Sequence, residues 1–158
     1  MSKKFEKLIY FIIFAFYMGL LIYLLFFAEE FGRSVTEKKY SYNLVPFKEI
    51  KRYIFRFRTI GLKTCIINLG GNIIAFIPFG IFVPYLFKEN MNVFLIGIMT
   101  MITSLFVETF QLMLMVGSFD VDDIILNTAG GIIGGIIYVI CRKKILQNNS
   151  GQALQKEE

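Results

Sequence analysis

Glu108 is the one charged residue in Val93–Met115, a stretch otherwise made of apolar and small polar side chains. A charge inside a bilayer costs roughly 2.5–3.5 kcal/mol on insertion scales, so such a residue needs a partner. Its neighbours Leu105, Phe106, Val107 and Phe110 offer none. Gln111 lies three residues on and shares its helical face. Asp120, Asp123 and Asn127 are spaced by three and four, and Asn68 and Asn72 by four, so each set also occupies one face. Oxygen-bearing groups on separate helices could share a proton, hold a hard cation or receive a polar headgroup. Glu108 and Asp123 are the candidates for acid–base work, because two carboxylates in unlike environments can divide those roles.

Plainer readings stand beside these. Asp120 and Asp122 suit caps on the helix that follows them. Asn68 and Asn72 suit hydrogen bonds between helices. Ser104, one turn before Glu108, suits a bond to its own backbone. The chain has no histidine, so Ser–His and Cys–His couples and the usual zinc sites are excluded. No cofactor and no metal is assigned.

The elements that must position these groups are read from long apolar blocks. Leu8–Ala28, Cys65–Phe87 and Ile124–Cys141 carry no charge, and Val93–Met115 carries only Glu108. At 1.5 Å per residue each block is about 27–35 Å long, the thickness of a bilayer's hydrocarbon core. The chain is 56% hydrophobic and 18% charged, an unusual balance for a soluble domain. Period-2 alternation is absent from the blocks, which argues against a barrel. The expected fold is all-α, a bundle of four transmembrane helices near 8–28, 65–87, 93–117 and 120–141. The first block is too long for a signal peptide and reads as a retained helix. Residues 142–158 read as a polar, disordered tail.

Lys3, Lys4 and Lys7 precede the first helix, and Arg142, Lys143 and Lys144 follow the last. Glu29 and Glu30 follow the first helix, while Asp120, Asp122 and Asp123 precede the last. These flanks place both termini on the cytoplasmic side, although the first loop holds nine of the 17 basic residues. In that loop Phe47, Ile50, Ile54 and Phe57 fall at helical spacing among Lys48, Lys51, Arg52, Arg56 and Arg58. An amphipathic segment on the membrane surface is expected, with Lys48, Arg52, Arg56 and Arg58 at lipid headgroups. Phe55–Arg58 also alternates, so a short strand is an option there. The net charge of +5 suits anionic lipid and not nucleic acid. Cys65 and Cys141 would lie at opposite membrane faces, too far apart to pair.

This threading brings Asn68, Asn72, Glu108, Gln111, Asp120, Asp123 and Asn127 to a single leaflet, the outer one with both termini inside. Reversing the orientation moves the cluster without scattering it. Gly130, Gly131, Gly134 and Gly135 form overlapping small-xxx-small pairs suited to close packing within the bundle, and Gly70 and Gly71 are expected to do the same. Pro78 should kink the second helix.

Three segments carry a resemblance. They are Asn43-Leu-Val-Pro46-Phe47, the run from Asn68 through Asn72 and Pro78 to Gly80, and the run from Glu108-Thr-Phe-Gln111 through Gly117, Asp120, Asp123 and Asn127 to Gly130. By their combined pattern the chain resembles the VanZ-like family over residues 8–141. Where many members carry Arg after the glycine of the third segment, this chain has Ser118. The resemblance implies a protein of the bacterial cytoplasmic membrane associated with lowered susceptibility to glycopeptides, notably teicoplanin; it implies no particular reaction.

Three functions follow as expectations. The first is a binding factor whose polar pocket takes a lipid-linked cell-wall precursor or a lipid-bearing glycopeptide. The second is an intramembrane enzyme acting on a lipid-linked substrate. The third is a small transporter, disfavoured because four helices are few and the polar residues stop in one leaflet. Oligomeric state is not legible.

Overall fold

The computed structural model describes residues 3–27, 40–87 and 90–154. Glu29 and Glu30, which flank the first helix, and residues 155–158 of the tail lie outside the described residues. The elements run α1 (Lys3–Phe27), β1 (Tyr42–Asn43), α2 (Lys48–Phe55), α3 (Phe57–Ile60), α4 (Leu62–Cys65), a π-helical turn (Ile66–Gly70), α5 (Gly71–Leu86), α6 (Val93–Met113), β2 (Phe119–Asp120) and α7 (Val121–Leu154). Among the described residues, four stretches are long and apolar enough to cross a membrane: Lys4–Phe26, Leu62–Leu86, Val93–Met113 and Val121–Ile145. The architecture is the expected all-α bundle.

The boundaries differ in informative ways. The second span starts before Cys65 and winds through a π turn before α5 begins. The third ends at Met113, where Met115 takes a left-handed φ of 53° and the chain turns. The fourth continues as helix to Leu154, so the tail expected to be disordered from residue 142 is helical that far. Phe55–Arg58 is no strand: α2 ends at Phe55 and α3 begins at Phe57.

Glycine sets the distance between spans. A Cβ at Gly130 would sit 2.1 Å from the Ile73 carbonyl oxygen, and one at Gly134 would sit 2.1 Å from that of Ile77. From the other helix, a Cβ at Gly80 would lie 2.0 Å from the Gly131 oxygen. The backbones of α5 and α7 therefore touch, as small-residue stripes allow. Gly131 and Gly135 face α6 instead, against Thr100 and Ile96. The expectation for Gly70 and Gly71 fails: among the described residues a Cβ at Gly71 would meet nothing within 4 Å, and one at Gly70 would meet the Ile66 side chain of its own span at 3.9 Å. Pro78 and Pro84 both lie within α5.

α1 attaches along α5. Tyr10 stacks on Tyr85 at 4.8 Å, Phe14 meets Phe79 at 6.0 Å, and the Tyr17 hydroxyl donates to the Ala75 carbonyl at 2.7 Å. Phe76, Phe79, Val83 and Ile96 form the buried core, while Phe16, Phe94, Phe106 and Phe110 point outward as a lipid-facing surface requires.

Candidate functional site

At one end of the bundle the described part of the first loop packs against the start of α7. β1 pairs parallel with β2, Tyr42 opposite Phe119 and Asn43 opposite Asp120. Two residues per strand hold little by themselves. Side chains complete the join. Asn43 Nδ2 donates to Asp120 Oδ1 at 3.0 Å, and the Asp122 backbone N–H donates to the same oxygen at 2.8 Å. Asp120 is thus the N-cap of α7, as its position before the helix suggested. Its own N–H donates to Glu108 Oε2 at 2.9 Å. Glu108 is only 3% exposed and faces inward, not the acyl chains.

Asp122 caps a different helix from the one expected. Its side chain, 1% exposed, reaches from the first turn of α7 to the start of α2. There it accepts from the backbone N–H groups of Phe47, Glu49 (2.7 Å) and Ile50 (3.1 Å). Phe47 holds a φ of 62°, and α2 has no cap of its own. The carboxylate satisfies amides that a helix start leaves orphaned and meets the positive end of its dipole. Farther along, Cys65 Sγ donates to the Tyr53 carbonyl at 3.4 Å, tying α2 to the second span.

Beneath α2 lies a cavity of about 620 Å³. Of the residues named from sequence, Asn68, Asn72, Glu108, Gln111, Asp120 and Asp123 line it. Asn72 Nδ2 donates to Asp123 Oδ1 at 2.5 Å, joining the second and fourth spans. Gln111 Nε2 donates to the Leu25 carbonyl at 2.7 Å, joining the third span to the end of α1. Asn68 bonds locally, to the Thr64 carbonyl at 2.8 Å. Asn127 is outside the lining. It donates to Ser104 Oγ at 2.8 Å, so Ser104 has a partner on another helix, and Asn127 Oδ1 is buried with no partner among the described residues.

The basic loop divides. Lys48 and Arg52 line the cavity, whereas Arg56 and Arg58 do not. Arg52 is paired with Glu49 at 2.5 Å and bonds the Tyr53 hydroxyl at 3.2 Å. Burial works against its charge, but Tyr53, Glu49 and Asp120 outweigh it and hold its pKa above the ordinary value. The Asp120 pKa is raised, first by burial and also by Asp122; its hydrogen bonds and Arg52 oppose the rise. The lining therefore mixes the carboxylates Glu49, Glu108, Asp120, Asp122 and Asp123 with two cations and several amides. Among the described residues no three acidic or thiol groups are gathered tightly enough to hold a metal ion. Sequence reasoning missed the part Asn43 and Tyr53 play in the site. Asn43 was visible within a quoted motif, but only strand pairing reveals its partner.

Bundle and cavity together define a small multi-pass membrane protein with a polar chamber at one end. The chain belongs to the VanZ/LLP1 family, whose model matches residues 14–142. Protein VanZ of Enterococcus faecium is 35% identical over 81 residues, covering 48% of this chain and 47% of that protein. The chain thus spans about half the length of the curated relative it matches. No solved structure matches.

Proposed function

We propose that the cavity binds the headgroup of a lipid-linked cell-wall precursor or of a lipid-bearing glycopeptide, and that this lowers susceptibility to antibiotics such as teicoplanin. On this reading the protein sits in the bacterial cytoplasmic membrane with both termini inside, so the cavity faces the outer leaflet. The supporting observation is the convergence of Asn72, Glu108, Gln111, Asp120 and Asp123 on one chamber at one end of the bundle. A volume of about 620 Å³ suits a headgroup or small-molecule moiety and is too small for a whole glycopeptide. Amides, carboxylates and two cations offer donors and acceptors to a mixed polar headgroup. Lys48 and Arg52 serve as cavity wall, and Arg56 and Arg58 rest at lipid headgroups.

The test is teicoplanin and vancomycin susceptibility of strains carrying wild type, Glu108→Gln and Asp123→Asn at equal membrane abundance. Gln can still accept the Asp120 N–H, so the fold should persist while the charge is lost. Both variants are expected to move teicoplanin susceptibility toward that of a strain lacking the protein. Unchanged susceptibility in both would overturn the proposal. Mass spectrometry of wall precursors in the same strains should show them unaltered; altered precursors would favour the intramembrane enzyme instead.

A further inference from the structure

The cavity's wall is not uniformly buried. Glu108 and Gln111 are buried, and Asp123 is half-buried. On one side, however, the lining residues are exposed although they belong to membrane-spanning helices. Ile67 is 57% exposed and Leu24 is 46% exposed, and Asn68 and Gly71 are exposed as well. Leu24 lies in the span Lys4–Phe26, and the other three lie in Leu62–Leu86. These exposed lining residues lie on membrane-spanning helices, where a gap in the wall would open to lipid.

The local backbone supports such an opening. The second span is π-helical from Ile66 to Gly70, the wider winding that recurs at functional sites. Gly71 follows with a φ of −57°, ordinary right-handed helix that needs no glycine. Packing does not require one either, since among the described residues a Cβ there would meet nothing within 4 Å. This differs from Gly130 and Gly134, where a Cβ would strike α5 backbone oxygens. The missing side chain at position 71 leaves open wall.

We propose that the cavity opens sideways into the bilayer between Leu24 and the Ile67–Gly71 segment, and that its ligand is an amphiphile whose chain leaves through this portal. The inference rests on the binding reading above and extends it. The polar headgroup lies among Asn72, Glu108 and Asp123, and the acyl or isoprenoid chain passes Gly71 into the surrounding lipid. Gly71 then determines specificity: its bare backbone admits a tailed ligand that a large side chain would exclude.

The test uses the full chain in phosphatidylglycerol nanodiscs containing a phosphatidylglycerol with a diazirine on one acyl chain. After irradiation, adducts are mapped by mass spectrometry. Wild type should show adducts on inner residues Leu25, Ala75 and Leu126 as well as on outer residues Phe16 and Phe106. Gly71→Phe should cut the inner adducts about tenfold, the change that a block worth about 1.4 kcal/mol produces, and leave the outer ones. Gly19→Phe makes the same change at an exposed glycine outside the cavity lining and should leave both sets intact. If Gly71→Phe fails to fold, Leu24→Trp narrows the opening from the opposite helix and carries the test. Displacement of inner adducts by teicoplanin but not vancomycin assigns the chain to the antibiotic; persistence assigns it to membrane lipid, and either supports the portal. Absence of inner adducts in wild type, or their persistence in folded Gly71→Phe or Leu24→Trp, overturns it. Loss of the portal with the Glu108→Gln phenotype retained would sink this inference alone. The converse result would sink the antibiotic reading alone.

Discussion

Removing the Asp122 carboxylate should release α2 from the bundle without unfolding the spans. α2 has eight residues, too few to persist in water unaided. Its first turn has no local cap, and Asp122 accepts from three backbone amides there. Losing a helix cap costs about 0.5–2 kcal/mol. Leaving a buried N–H without an acceptor costs about 1–3 kcal/mol more, although water admitted as α2 lifts recovers part of it. A local destabilisation of about 2–3 kcal/mol follows, which is about 30- to 140-fold in the opening equilibrium. The assay is hydrogen exchange of Asp122→Ala in nanodiscs. Amides of Glu49 and Ile50 should exchange faster by that factor, while those of α6 and the glycine-packed part of α7 stay protected. Unchanged exchange in α2 would refute the capping argument. Equal acceleration throughout would show that Asp122 supports the whole bundle rather than α2.

Other outcomes follow from the same geometry. Asp120→Asn keeps an oxygen for the Asn43 amide and the Asp122 N–H but removes a carboxylate whose ionised form burial disfavours. Because the wild-type pKa is raised, the folded state binds its proton more tightly than the unfolded chain does. Wild-type stability should therefore fall as pH rises from about 3.8 through the higher folded value. Thermal unfolding against pH should show that slope reduced in Asp120→Asn; an identical slope would refute it. Gly134→Ala places a methyl 2.1 Å from the Ile77 oxygen and should force α5 and α7 apart. A loss of about 1–3 kcal/mol is expected, read as a lower melting temperature. Gly19→Ala, with nothing within 4 Å, should melt as wild type does.

The four spans were legible because length and uninterrupted apolarity answer directly to bilayer thickness, with no need for knowledge of neighbours. The grouping of Asn72, Glu108, Gln111, Asp120 and Asp123 was legible too. Helical spacing selects a face, and the threading of successive spans selects an end. The glycine stripe of α7 announced close packing, since nothing else explains four small residues at those intervals. Asn127 departed from the group because a face is broader than a cavity, and at its level Ser104 was the available partner.

What only the tertiary structure decided were the destinations of side chains whose partners are distant in sequence. Asp122 looks from sequence like a cap for its own helix, but Asp120 already fills that place. Its carboxylate satisfies amides more than 70 residues away. Gly70 and Gly71 resemble the packing glycines in composition; only the position of other backbones shows that nothing approaches Gly71. Lys48 and Arg52 line the cavity because they lie on α2, which Asp122 and Cys65 hold in place, whereas Arg56 follows α2 and Arg58 belongs to α3. Periodicity in a single chain specifies which groups share a surface, but which surface they meet depends on contacts between segments that no local pattern contains.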